Sequence, residues 1–232
     1  TAAGQLENSD AETLFAVTES LHDHAWIDVP PCSPRPREGY LGDPQCVPGV
    51  DGRFYTGYGV VSSIVALPLL WLGRVIGPLL LVDPRVAASS AISITNCLLS
   101  PAGVVVFGAW VRRMGYPQGT AVTAGVLLGC GTPLWLHAVK NYYSEPQLMM
   151  GLLGACYLLS FRDRPFAAVI AGASLAIGCG ARVYGVIVIP ALLLYLGQSR
   201  RRPRAIARDG VAFLGGATGG LLPVLVLNHL RF

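Results

Sequence analysis

The sequence has little charge for its length. Only 13% of its 232 residues are Asp, Glu, Lys or Arg, whereas 53% are hydrophobic, and the mean hydropathy is +0.53. A soluble domain typically contains about 25% charged residues. Because the shortage of charge coincides with several long apolar segments, the composition excludes an ordinary soluble domain and indicates a polytopic membrane protein.

The chain also lacks the cysteine spacing of a metal site. Cys32 and Cys46 lie in the polar N-terminal stretch, where a disulfide would require an oxidising compartment. A disulfide and two free thiols are equally compatible with the sequence. The other cysteines lie in apolar segments, where a thiol usually packs as a small hydrophobic side chain; they are Cys97, Cys130, Cys156 and Cys179.

The few charges are unevenly distributed along the chain. Acidic residues collect within residues 7–51, whereas arginines collect at 112–113, 162–164 and 200–208. Arginines beside membrane segments tend to stay on the cytoplasmic side. The distribution predicts an acidic outside loop and basic inside loops, and it is unlike the basic face of a nucleic-acid-binding protein.

The polar stretch, residues 1–57, is the part that we expect to form an extracytoplasmic loop. Apolar positions on one side predict a short amphipathic helix over 10–22, capped by Ser9 or Asp10 and lying on a membrane surface. Since the chain begins in a polar segment, we expect at least one helix before Thr1 in the native protein.

His22 and His24 follow the predicted helix, beside Asp23 and Asp28. Their spacing could serve a metal site in a loop, but no second cluster of ligands supports one. A solvated loop is the favoured interpretation.

Apolar segments fill the remainder of the chain, at 58–82, 86–110, 118–136, 146–161, 165–180, 183–197 and 210–227. If the arginines are inside, segment 86–110 runs inward and segment 118–136 runs outward. Segment 58–82 then begins and ends outside, and it contains Pro68 and Pro78, which interrupt or kink a helix. We therefore expect it to be a juxtamembrane or re-entrant segment, and residues 83–232 to form a transmembrane bundle of about six spans.

This sidedness places the residues that could perform chemistry on one outer face. Arg182 is notable because a cation between two apolar segments is costly in a membrane, so we expect a function or a buried partner, with snorkelling to the interface as the alternative. Asp10 and Glu145 also match ordinary helix starts. The full set on this face is Asp10, Glu12, His22, His24, Tyr142, Tyr143, Glu145, Arg182 and Asn228.

Several short motifs resemble those of GT-C membrane glycosyltransferases, a family that includes protein O-mannosyltransferases, the aminoarabinose transferase of lipid A and the catalytic subunit of oligosaccharyltransferase. Ser9-Asp10, Trp26-Ile27-Asp28 and Asp51-Gly52-Arg53-Phe54-Tyr55 resemble its first outer loop. Tyr142-Tyr143-Ser144-Glu145-Pro146 resembles its second outer loop. Gly180-Ala181-Arg182 and the final Asn228-His229-Leu230-Arg231-Phe232 also have counterparts in the family.

The resemblance implies a GT-C-like helical bundle, with this chain as its N-terminal part. It implies transfer of a sugar from a polyprenyl-phosphate donor to an acceptor hydroxyl, at the extracytoplasmic face of the bacterial plasma membrane. Asp10 would be the general base, Glu12 the offset second acid of the family's acidic pair, and Arg182 the partner of the phosphate. The implied substrate-binding residues are Glu145, Arg182, Tyr142, Tyr143, Tyr55 and Asn228. A divalent metal ion is left open, because some relatives use one and others do not.

Two other functions remain open from the sequence. A transporter or flippase would be expected to show an internal repeat and charged residues at mid-membrane, whereas the polar residues here cluster at one face. A non-catalytic membrane assembly subunit is compatible with the sequence if another part of the native protein holds the active site.

Overall fold

The structure is a computed structural model, which describes residues 9–29, 46–136, 142–161, 164, 166–198 and 203–231. Helices make up 80% of it, so the prediction of an all-α fold is confirmed. The helices are α1 (Ser9–His24), α2 (Val60–Leu79), α3 (Pro84–Arg113), α4 (Gln118–Cys130), α5 (Glu145–Leu159), α6 (Ala167–Ala181), a 3-10 helix (Val183–Val188), α7 (Ile189–Gly197) and α8 (Pro203–Arg231). A small antiparallel sheet pairs β1 (Cys46–Pro48) with β2 (Phe54–Thr56).

In the described part of the chain, three helices, α2, α3 and α8, are long and apolar enough to cross a membrane. Their 20, 30 and 29 residues correspond to roughly 30–45 Å at about 1.5 Å per residue, and the hydrocarbon layer of a bilayer is about 30 Å thick. These helices indicate a membrane protein. The expected count of about six spans, and the division of the chain at residues 57 and 82, stay predictions.

Helix α2 runs without interruption through both of its prolines, Pro68 and Pro78. A proline inside a helix removes one backbone hydrogen bond, but an apolar helix tolerates this where neighbouring groups compensate. Pro78 lies in the last turn, where the helix is about to end. The expected break in this segment is therefore absent, and its juxtamembrane or re-entrant position stays a prediction.

The contacts divide the chain into two units. Unit 1 consists of residues 1–96, 140–143 and 225–232, and unit 2 consists of residues 97–139 and 144–224. Each unit has its own hydrophobic core, and the predicted site residues are distributed between the two.

In unit 1, helix α1 confirms the predicted amphipathic helix. Its apolar side packs on protein, against α2 and the first turns of α3, with Leu14 only 1% exposed. One cluster contains Ala11, Leu14, Phe15, Ala66, Leu70, Ala88, Ile92 and Tyr142. A second cluster, beside the small sheet, contains Val17, Ile27, Val29, Tyr55 and Val60.

In unit 2, the core joins α5, α6 and α8, and glycines set the distances between these helices. A Cβ atom on Gly151 of α5 would lie 2.7 Å from the Cα atom of Gly178 on α6. One on Gly172 of α6 would lie 2.6 Å from the backbone nitrogen of Ala217 on α8. Small residues allow this close approach of helix backbones, as is common between membrane helices.

The four cysteines outside the N-terminal stretch differ in their burial. Cys156 and Cys179 belong to the core of unit 2, as expected for small apolar side chains, whereas Cys97 and Cys130 are exposed. The question of a disulfide between Cys32 and Cys46 lies outside the described residues, since Cys32 and the side chain of Cys46 are not described.

Substitution of two neighbouring glycines of α8, Gly215 and Gly216, tests the packing of α6 against α8. A Cβ atom at Gly216 would collide with the backbone of Val169, whereas one at Gly215 would meet nothing within 4 Å. We expect Gly216→Ala to lower the free energy of unfolding by about 1–3 kcal/mol through overpacking. Gly215→Ala should leave it unchanged or raise it slightly, because alanine favours a helix.

The measurement is the thermal unfolding midpoint of each variant in detergent. Equal midpoints for the two variants would contradict the packing of α6 on α8 described above.

Candidate functional site

The clearest polar site in unit 2 surrounds Arg182, which joins α6 to the 3-10 helix. Its backbone is extended (φ −143°, ψ 108°), so the helix ends there. The guanidinium donates from Nε to Oγ of Ser144 at 2.5 Å and from Nη2 to Oε1 of Glu145 at 2.6 Å. Arg182 therefore has a buried partner, as expected, in Ser144, which is 0% exposed. The Arg182 and Glu145 side chains are themselves half-buried, at 22% and 32% exposure, and a function for Arg182 stays a prediction.

Glu145 is the first residue of α5, and Pro146 follows it in the first turn. A carboxylate is favoured at this position because it interacts with the positive end of the helix dipole, and proline fits the first turn. Glu145 is therefore an ordinary helix start, and the same side chain also pairs with Arg182. The second carboxylate oxygen, Oε2, is buried and accepts no hydrogen bond from the described residues.

The opposite end of α5 is rich in arginine. Just beyond it, the guanidinium carbons of Arg113 and Arg164 lie 3.8 Å and 5.8 Å from the centre of the Phe161 ring. The 15 residues of α5 place its two ends about 22 Å apart. Within unit 2, the Arg182–Glu145 pair and the arginine-rich end are thus separated by one helix length. The membrane sidedness expected from the arginines stays a prediction.

Asp10 and Glu12 lie in the first turn of α1, in unit 1. Asp10 is half-buried and Glu12 is exposed. Between and after them, Ala11 and Leu14 are buried in the core. The start of α1 is therefore fixed to the core. The Asp10 carboxylate lies at the boundary of this core, and the Glu12 carboxylate is exposed to solvent.

Two arginines hold the other end of α1. Arg74 of α2 donates from Nη2 to Oε1 of Glu19 at 3.2 Å and to Oδ2 of Asp23 at 3.0 Å. Arg85 of α3 donates to Oε2 of Glu19 at 3.1 Å. Arg74, a charge within the apolar segment 58–82, thus attaches α1 to α2, and Arg85 attaches it to α3.

The histidines near this end do not form a metal cluster. Nδ1 of His22 lies 2.7 Å from Oδ1 of Asp23, which Arg74 also contacts. No group of three His, Cys, Asp or Glu side chains comes together among the described residues. Since no such group is present, and Oε1 of Glu145 is paired with the Arg182 guanidinium, the described residues do not form a divalent metal site.

Two tyrosines of unit 1 that we predicted to bind substrate, Tyr142 and Tyr55, are buried. Tyr142 is fully buried and its hydroxyl donates to the carbonyl oxygen of Ser62, while burial raises its pKa. Tyr55 is 1% exposed; its hydroxyl donates to Oδ2 of Asp51 at 2.6 Å and accepts from Nε1 of Trp26 at 3.3 Å. Burial also raises the pKa of Tyr55.

Tyr143 and Asn228, also in unit 1, are half-buried. The substrate-binding roles of these residues, of Tyr55 and of Tyr142 stay predictions. Among the described residues, Glu145 and Arg182 are two predicted site residues that contact each other directly.

Sequence reasoning missed the partner Ser144 and the role of Arg74. Both could have been sought by asking which polar groups satisfy a cation in an apolar segment.

Comparisons of the chain with protein-family models, with curated proteins and with solved structures found no match. The resemblance to GT-C enzymes therefore stays a prediction.

The contact of Asp23 with Arg74 should make the attachment of α1 depend on pH. Hydrogen bonds from Arg74, and then from His22, lower the pKa of Asp23 from 3.8 to about 2. A lowered pKa stabilises the folded state above the unfolded value and loses this contribution as the pH falls through the folded value. We expect Asp23→Asn to be less stable than the wild type at pH 5, and the difference to shrink towards pH 2.

Hydrogen exchange of α1 at both pH values measures this difference. A deficit of the same size at pH 5 and at pH 2 would show that the ionised carboxylate is not what stabilises the contact.

Proposed function

We propose that the chain is part of a membrane glycosyltransferase of the GT-C kind. It would move a sugar from a polyprenyl-phosphate carrier to an acceptor hydroxyl at the extracytoplasmic face of a bacterial plasma membrane. The observation that carries the proposal is the contact of Arg182 with Ser144 and Glu145 at the start of α5. A guanidinium fixed in this way, in an otherwise apolar segment, suits the phosphate end of a lipid-borne substrate.

The leaving phosphate is the group that such a reaction must stabilise. Arginine presents several N–H donors in one plane, which match the oxygens of a phosphate. Ser144 and Glu145 would hold this plane in position before the substrate arrives, so that less reorganisation is needed in the transition state. Oε2 of Glu145, buried and without a hydrogen-bond donor among the described residues, would accept a hydrogen bond from a sugar or acceptor hydroxyl.

Asp10 would act as the general base. In the transfer, the acceptor oxygen forms a bond to the anomeric carbon while the bond from that carbon to the phosphate oxygen breaks. The acceptor proton passes to the Asp10 carboxylate, and polyprenyl phosphate leaves with the electron pair, which inverts the anomeric centre. The firm attachment of α1 to its unit supports this role, since a base must be held within hydrogen-bonding reach of its proton.

Removal of the Asp10 carboxylate provides the first test. We expect Asp10→Asn to reduce the release of polyprenyl phosphate from a polyprenyl-phosphate sugar by about 100-fold or more, because amide side chains cannot take up the proton. Asp83→Asn is the matched control: it removes a carboxylate that accepts hydrogen bonds from backbone N–H groups at the start of α3, and asparagine caps a helix equally well.

Release of polyprenyl phosphate is followed with the native-length protein in lipid vesicles. Unchanged release by Asp10→Asn would remove Asp10 from the mechanism. Movement of the lipid-linked sugar across the vesicle without transfer would favour a transporter or flippase instead.

Replacement of Arg182 by lysine tests the phosphate role. Lysine keeps the charge but cannot contact two partners in one plane. We expect Arg182→Lys to raise KM for the lipid-linked donor and to lower kcat/KM by about 10-fold or more. Arg208→Lys, at an exposed pair with Asp209, should leave both constants unchanged. Equal effects of the two substitutions would argue against a specific role for Arg182.

A further inference from the structure

A second arginine, outside the site proposed above, is buried and lacks hydrogen-bond acceptors for part of its guanidinium among the described residues. Arg231 is the last residue of α8 and is only 3% exposed. Its carbonyl oxygen accepts a hydrogen bond from the backbone N–H of Val50 at 3.0 Å, which fixes the end of α8 beside the turn between β1 and β2. Its guanidinium carbon lies 5.4 Å from the centre of the Tyr55 ring. All of these residues belong to unit 1.

Two nitrogens of this guanidinium, Nε and Nη2, are buried and have no hydrogen-bond acceptor among the described residues. They are the two donors on one edge of the guanidinium plane, which is the edge that binds an oxyanion through two parallel hydrogen bonds. The carboxylate linked to Tyr55 does not fill this role. Asp51 accepts from Tyr55 and from the backbone N–H of Arg53, and no ion pair joins it to Arg231 in the part of the chain that the structure describes.

The energetics make an isolated buried guanidinium an unstable arrangement. Arginine is almost never fully buried unless it is paired. Removing one charge from water costs more, even after relaxation, than a desolvated cation–π contact returns. The Tyr55 ring alone therefore does not compensate for the burial of Arg231.

We propose that Arg231 binds an oxyanion of the phosphate class through Nε and Nη2, beside the ring of Tyr55. Phosphate is favoured because α8 is long and apolar enough to cross a membrane and Arg231 lies at its end, and lipid phosphates lie where such helices end. The anion would be either a phosphate carried on a lipid or a free phosphate ion. This inference does not rest on the proposed glycosyl transfer.

The test is the thermal unfolding midpoint of the purified full chain in an uncharged detergent, with inorganic phosphate added at constant ionic strength. A ligand that binds the folded state raises the midpoint. We expect a rise of about 2 °C or more for the wild type and none for Arg231→Gln. Arg53→Gln, which removes an exposed arginine from the same unit, should keep the full rise.

A parallel titration with dodecyl phosphate, against dodecanol as the uncharged control, identifies the source of the phosphate. Saturation at concentrations about 10-fold or more below those of inorganic phosphate would assign the site to a lipid-borne phosphate. Equal concentrations would assign it to the free ion.

Arg231→Lys covers the case in which Arg231→Gln does not fold. Lysine keeps the charge and loses the paired donors, so we expect the phosphate concentration at half-saturation to rise by about 10-fold. A phosphate-dependent rise of the same size and midpoint concentration in the wild type and in the Arg231 variants would overturn the proposal. So would the absence of any rise in the wild type with both phosphate probes.

Discussion

The contact between Arg182 and Glu145 is the interaction from which the organisation of unit 2 can be understood. A chain with so little charge has few places where a charged side chain is tolerated, and each must be satisfied by a neighbour or by water. Arg182 ends α6, and Glu145 begins α5, so one ion pair fixes the start of one helix to the end of another. The core between these helices then extends away from the pair without interruption by charge.

The same requirement explains how α1 is attached in unit 1. An isolated helix of 16 residues is only marginally stable in water, so α1 depends on its packing. Its apolar side is covered by α2 and α3, and its polar side is fixed where Arg74 and Arg85 meet the Glu19 carboxylate. Individually, exposed ion pairs contribute about 0–1 kcal/mol, but two arginines that share a carboxylate restrict the helix in two directions. Asp10 lies at the opposite end of this helix, so its position depends on both attachments.

Helix positions could be predicted from the sequence because long apolar segments and short polar breaks mark them directly. The predicted helix over 10–22 is observed as Ser9–His24, and the segment 183–197 coincides with the 3-10 helix and α7. The continuity of α2 could not be predicted, since proline alone suggests a break and only the surrounding helix decides whether a missing hydrogen bond is tolerated.

Partners of charged residues were harder to predict than helices. Arg182 could be identified as needing a partner, but Ser144 and Glu145 are 38 and 37 residues away from it in the chain, and no local pattern connects residues so far apart. Nothing in the sequence indicated that Arg231 would be buried, because a cation at the end of an apolar segment normally reaches water. Its burial depends on Val50 and Tyr55, which reach it only through the fold.

The proposed site depends on the orientation of the chain in the membrane. Both ends of α2 must lie on the extracytoplasmic side, and the arginine-rich end of α5 must lie on the cytoplasmic side. The most direct measurement of this sidedness is labelling of single cysteines, in an otherwise cysteine-free chain, with a maleimide that cannot cross the membrane of intact cells. This sidedness predicts that cysteines at Gly57 and Asp83 are labelled in intact cells, and that one at Tyr116, just after Arg113, is labelled only after permeabilisation. Labelling of Tyr116 in intact cells, or opposite results for Gly57 and Asp83, would contradict it.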